Sequence, residues 1–152
     1  MTSYELWLFL HLGGTIVWAG GAVAVQVFGL LAQRAGDPAQ SMAFGRNTAW
    51  LASRVFMPSS AVVLVAGVLL TEDGNWPWSE PFVWLGLIGW ALVAATGFLY
   101  IGPQMKRLGA RMAAEGPSPA LAGRVGRLVL IARGLVVLLF LIVFVMVVKP
   151  GT

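Results

Sequence analysis

The sequence contains no cysteine and a single histidine. Without thiols it has no disulfide, no thiolate-held zinc or iron–sulfur centre and no cysteine nucleophile. One imidazole also excludes a haem held by two histidines of the same chain. Charge is scarce as well. Only 11% of the 152 residues are Asp, Glu, Lys or Arg, against about a quarter in a soluble domain. So few charges cannot cover a globule with polar surface. No glycine-rich phosphate loop, nucleophile–base–acid set or pair of carboxylates inside an apolar run is present, and the commonest hydrolytic and nucleotide-dependent chemistries lose their residues.

What is abundant is apolar: 59% of the chain is hydrophobic and the mean hydropathy is +0.84. Four apolar runs stand out, over about residues 6–32, 50–70, 82–101 and 128–148. Each meets the roughly 20 residues needed to cross a hydrocarbon core. Inside lipid each must be helical, because the backbone has no water to bond. None alternates polar and apolar residues as a membrane strand does. The expected fold is therefore all-α, a single-domain integral membrane four-helix bundle over residues 1–152. The start of the chain does not read as a cleavable signal peptide: it has no basic lead, and its apolar stretch is too long.

The breaks between runs have their own marks. Arg34-Ala35-Gly36-Asp37-Pro38 ends the first, Thr71-Glu72-Asp73-Gly74-Asn75 the second and Gly102-Pro103 the third. Residues 105–126 read as a basic extension of the third helix, a turn marked by Pro117 and Pro119, and the lead-in to the fourth. Basic residues cluster at one end: Arg34, Arg46 and Arg54, then Lys106, Arg107, Arg111, Arg124 and Arg127. The other end carries Glu5, Glu72, Asp73 and Glu80, with Lys149 the lone dissenter. Basic loops stay cytoplasmic, so both termini and the acidic loop should face outward. Trp7, Trp76, Trp78 and Trp84 would anchor that outer interface. The net charge of +4 thus serves topology and anionic lipid, and no nucleic acid partner is expected.

Within the first helix, Gly13-Gly14 and Gly20-Gly21 form a small-residue stripe suited to close helix packing and to homo-oligomer formation. His11, Thr15, Trp18, Ala22 and Gln26 fall on one face by helical spacing, and that face should look into the bundle. An ionisable residue at membrane depth needs a partner or a function. Imidazole ligates haem iron and other metals, and also carries protons. Met146, about as far from the outer end of the fourth helix, would lie at the depth of His11 and complete a His/Met axial pair, with Trp18 beside it. Arg54 would suit a carboxylate of the ligand. A different grouping, His11 with Glu5, Glu72, Asp73 or Glu80, would hold a divalent metal. Pro58 should bend the second helix and free a carbonyl near Arg54 or Phe56, which Ser59 and Ser60 would partly satisfy.

Leu10-His11-Leu12-Gly13-Gly14-Thr15-Ile16-Val17-Trp18-Ala19-Gly20-Gly21, Arg54-Val55-Phe56-Met57-Pro58 and Val65-Ala66-Gly67-Val68-Leu69-Leu70 resemble small bacterial four-span membrane proteins. These are similar to the copper-resistance D family and to the HemJ-type protoporphyrinogen oxidases. The resemblance covers roughly the first half of the chain. It implies a helical bundle in the inner (plasma) membrane, often oligomeric, with a first-helix histidine tied to haem b, here His11. Those oxidases also carry a functional lysine in their third helix, and residues 82–101 contain none. The expectation is a membrane protein that binds haem b or a metal through His11 in a redox or porphyrin-linked role. The competing expectation is a non-catalytic transporter of a small solute or a scaffold subunit, with Thr15, Gln26 and Arg54 along a polar path.

Overall fold

A computed structural model describes residues 2–116 and 118–150, without the side chain of Pro38. Met1, Pro117, Gly151 and Thr152 lie outside the described residues. The chain forms four long helices, α1 (Ser3–Ala35), α2 (Ala39–Asp73), α3 (Pro81–Glu115) and α4 (Pro119–Val148), all long and apolar enough to cross a membrane. No strand occurs among the described residues.

The helix starts follow from local chemistry. Thr2 caps α1 through a reciprocal box: Glu5 N–H donates to Thr2 Oγ1 at 3.2 Å, and Thr2 N–H donates to Glu5 Oε2 at 2.8 Å. Asp37 accepts from Ala39 N–H at 2.8 Å ahead of α2, and Ser118 accepts from Leu121 N–H at 3.3 Å ahead of α4. Pro38, Pro81 and Pro119 stand in the first turns, where the missing N–H costs nothing. Gly36 and Gly116, both at positive φ, end α1 and α3.

At 30 to 35 residues, each helix is about 45–50 Å long, well beyond a hydrocarbon core of about 30 Å. Much of the excess lies at the basic end. There the continuation of α3 packs on the start of α4 through a small core of Leu108, Leu121 and Leu128, flanked by Met105, Met112 and Val125. The expected basic extension and lead-in thus appear as a helical hairpin.

Three helices contain one wide, π-helical turn: Ile16–Gly20 in α1, Ala52–Phe56 in α2 and Ala95–Ile101 in α3. In α2 the cause is local, because Pro58 offers no N–H to the carbonyl of Arg54, four residues earlier. Ser60 Oγ donates to the Met57 carbonyl at 2.9 Å.

The most extensive packing joins α1 to α2, and α3 to α4, so the bundle is two antiparallel hairpins laid together. Gly14 and Gly21 make the first seam: a Cβ on Gly14 would meet Val63 and the Ser59 carbonyl, and one on Gly21 would meet Phe56. Gly13 and Gly20 face the other way and meet nothing. Between the hairpins, Trp18, Val93 and Leu139 form a buried cluster at mid-bundle. Trp90 Nε1–H donates to the Ser60 carbonyl at 2.9 Å, tying α3 to α2. Phe9, Ile16, Leu99 and Val147 are exposed, as large apolar side chains are when lipid is the solvent.

Candidate functional site

Above the Trp18 cluster, toward the acidic end, a cavity of about 240 Å³ opens between the two hairpins. His11 enters its wall from α1 and Met146 from α4. Each rests on a glycine of its own hairpin partner. The His11 ring lies against Gly67 of α2, where a Cβ would stand 3.1 Å from Cε1 and Nδ1. The methyl of Met146 lies against Gly86 of α3, in space that a Cβ would occupy.

The orientation of the imidazole is set by its backbone partner. Nδ1 lies 2.8 Å from the carbonyl oxygen of Val63. A carbonyl can only accept, so Nδ1 carries the proton. In the neutral ring, Nε2 is then the acceptor, the form in which imidazole ligates a metal. The two threonines of the wall have turned to their own helices: Thr15 Oγ1 donates to the His11 carbonyl at 2.7 Å, and Thr71 Oγ1 donates to the Gly67 carbonyl at 3.0 Å. Both hydroxyl protons are thereby used on backbone. Most of the remaining wall is aromatic or aliphatic, with Trp18 and Trp90 toward the mid-bundle cluster and Trp76, Trp78 and Phe82 near the mouth.

Of the residues singled out in the sequence, His11, Met146 and Trp18 meet in this cavity. Thr15 joins them, Ala22 packs on the cluster below, and Gln26 is half-buried further along α1. Arg54 does not reach the cavity. It is exposed on the wide turn of α2. Glu5, Glu72 and Asp73 are also exposed and line none of it. Glu5 is engaged in the α1 cap, and Glu72 accepts from Trp78 Nε1–H at 2.9 Å. Among the described residues, no three His, Cys, Asp or Glu side chains gather as a metal-binding group. Glu5 and Glu72 therefore have local structural partners.

Several contributors carry no mark in the sequence. Gly67 and Gly86 are two glycines among 19, and their use as seats for His11 and Met146 depends on which helices pair. The Val63 carbonyl is backbone and leaves no signature. Lys149 is visible beforehand only as a base at the wrong end. It sits at the mouth of the cavity, its Nζ 4.4 Å from the centre of a Trp76 ring and 5.7 Å from that of Phe82.

Residues 5–150 match a family described as "Predicted integral membrane protein (DUF2269)". No curated protein and no solved structure matches the chain.

Proposed function

We propose that this chain, which belongs to the DUF2269 family of predicted integral membrane proteins, binds haem b in the cavity between its hairpins. His11 Nε2 serves as iron ligand and Met146 as its partner from the facing hairpin. The observation that carries the reading is the hydrogen bond from His11 to the Val63 carbonyl. It fixes both the tautomer and the ring plane of the one histidine in the chain, as the outer partner of a ligating histidine does. The same bond also ties α1 to α2, and the ligand role is what leaves a use for Nε2.

The donor set suits the group. An imidazole and a thioether on opposing walls are a known axial combination for haem iron, and Trp18 and Trp90 offer flat apolar surface. The cavity, about 240 Å³, is small beside the roughly 300–1,000 Å³ of most cofactor pockets. A tetrapyrrole would be enclosed only in part. Bound iron would supply one-electron chemistry. The protein's own contribution is to orient the ligands and exclude water. The first-helix resemblance to copper-resistance D and HemJ-type proteins supports the same choice. The absence of a lysine in residues 82–101 argues against the oxidase reaction itself.

Protein purified gently from its own membranes tests this directly. The expected result is a Soret band that sharpens on dithionite reduction and is abolished by His11→Ala, while Met146→Leu alters the reduced spectrum. A colourless protein that stays colourless when haem is added would sink the proposal. Transport of a small solute, or a scaffold role, would then be the reading to pursue, with flux through His11 variants as its measure.

A further inference from the structure

Arg54 and Arg133 are the two bases that stand within the apolar runs of the chain, and the fold gives both the same setting. Arg54 is nineteen residues, about 28 Å, from the end of α2, and Arg133 is fifteen residues, about 22 Å, from the end of α4. A hydrocarbon core of about 30 Å covers both positions. Each also lies on the side of its helix that faces away from the bundle. Arg54 precedes Val63 by nine residues, and Arg133 precedes Ile142 by nine, which is about two and a half helical turns. Val63 and Ile142 are the side chains that meet Gly14 of α1 and Gly89 of α3. The arginines therefore leave from the opposite, lipid-facing side, and both are exposed. Leu130, Val137, Phe140 and Phe144 share that exposed side of α4.

Helix direction explains why these two helices carry them. Every Cα–Cβ bond leans toward the N-terminus of its helix. Both α2 and α4 begin at the basic end, so a long side chain on either extends toward the headgroups of that end. The other two helices run the opposite way, and a base at the same depth on them would lean into hydrocarbon. Neither has one before Arg34 and Lys106, about 46 and 38 Å from the helix starts and past the core. A second copy of the chain offers no counter-ion within the membrane, because residues 6–36, 38–71, 81–114 and 116–152 contain no Asp or Glu. The anion within reach is the lipid phosphate, whose oxygens a guanidinium pairs well. We infer that Arg54 and Arg133 form two sites for anionic phospholipid of the leaflet at the basic end, one on each hairpin. Trp50, exposed one turn nearer that end than Arg54, marks the headgroup boundary at the first site. Arg46 and Arg127, further toward the same end of α2 and α4, favour a net-negative headgroup over a zwitterionic one. The inference holds whatever the cavity binds.

The test is native mass spectrometry of the full-length protein, stripped of lipid in detergent and titrated with phosphatidylglycerol or phosphatidylcholine. Wild type should hold its first two phosphatidylglycerol molecules more tightly than phosphatidylcholine. Arg54→Gln and Arg133→Gln should each weaken one of the two by about fivefold, the worth of one base at an anionic surface, and leave phosphatidylcholine unchanged. The double variant should lose the preference. Arg54→Lys and Arg133→Lys keep the charge and should keep the preference, so they decide the matter if a Gln variant fails to fold. Arg111→Gln, on the extension of α3 beyond the core, should leave both sites intact. An equal loss there would make the preference a property of general positive charge and overturn the inference. So would a double Gln variant that retains the preference, or Lys variants that lose it.

Discussion

Glycine shows most clearly how much a single position can decide. In water-based scales, Gly→Ala in a helix gains about 1 kcal/mol of propensity, so any loss must come from contacts. Gly13 has nothing within 4 Å of a new Cβ, whereas at Gly89 that atom would stand 2.5 and 2.6 Å from Cγ1 and Cδ1 of Ile142. Overpacking costs about 1–3 kcal/mol, and a β-branched neighbour has few rotamers to yield into. Gly89→Ala should therefore unfold more readily than wild type, and Gly13→Ala should match or exceed it. Thermal unfolding in one detergent ranks the three. Gly67→Ala is different in kind. Its Cβ would press the His11 ring at 3.1 Å and disturb the bond to Val63, so ligand affinity should fall more than stability does. None of these distinctions was legible beforehand, because a glycine in an apolar helix does not announce its neighbour. His11 was legible, being the one ionisable group deep in the first run. Met146 followed only from matching depth, and Arg54 pointed elsewhere because facing cannot be read near an interface, where long side chains extend outward.

At the scale of elements, the helix starts at Thr2, Asp37-Pro38 and Ser118-Pro119 are capping patterns that sequence displays openly. The wide turns are only partly so. Pro58 and Pro103 each stand two residues past a wide turn and offer no N–H to a carbonyl within it, that of Arg54 in α2 and of Leu99 in α3, whereas Ile16–Gly20 has no such proline. The glycines of α1 matter for a second property. Their seven-residue spacing places Gly14 and Gly21 against α2 and leaves Gly13 and Gly20 with no neighbour within 4 Å, so one paired-glycine motif serves two faces. Self-association through the outward face is our proposal, and it separates cleanly from folding. Gly13→Leu with Gly20→Leu should leave the unfolding temperature near that of wild type while shifting single-molecule photobleaching in vesicles from pairs toward single copies. Gly14→Leu should instead unfold the hairpin, since Val63 and the Ser59 carbonyl already fill that space. A wild type that photobleaches in single steps would end the proposal.

The whole molecule adds what neither residue nor element contains, which is direction. Four helices bring the start of α1 and the end of α4 to the end that bears the Glu72–Glu80 turn, and the basic inter-helix segments to the other. Cation placement, not packing, decides which end stays in the cytoplasm. The bases at one end number seven outside the apolar runs, Arg34, Arg46, Lys106, Arg107, Arg111, Arg124 and Arg127, against Asp37 and Glu115. That asymmetry outweighs Lys149, which the aromatic corner holds in place. Because the chain has no cysteine, single cysteines can be introduced without background. Ser79→Cys, in the turn between α2 and α3, should react with a membrane-impermeant maleimide added to intact cells. Ala113→Cys, on the exposed extension of α3, should react only once the membrane is opened. The reverse pattern would invert the bundle and move the cavity mouth to the cytoplasmic side.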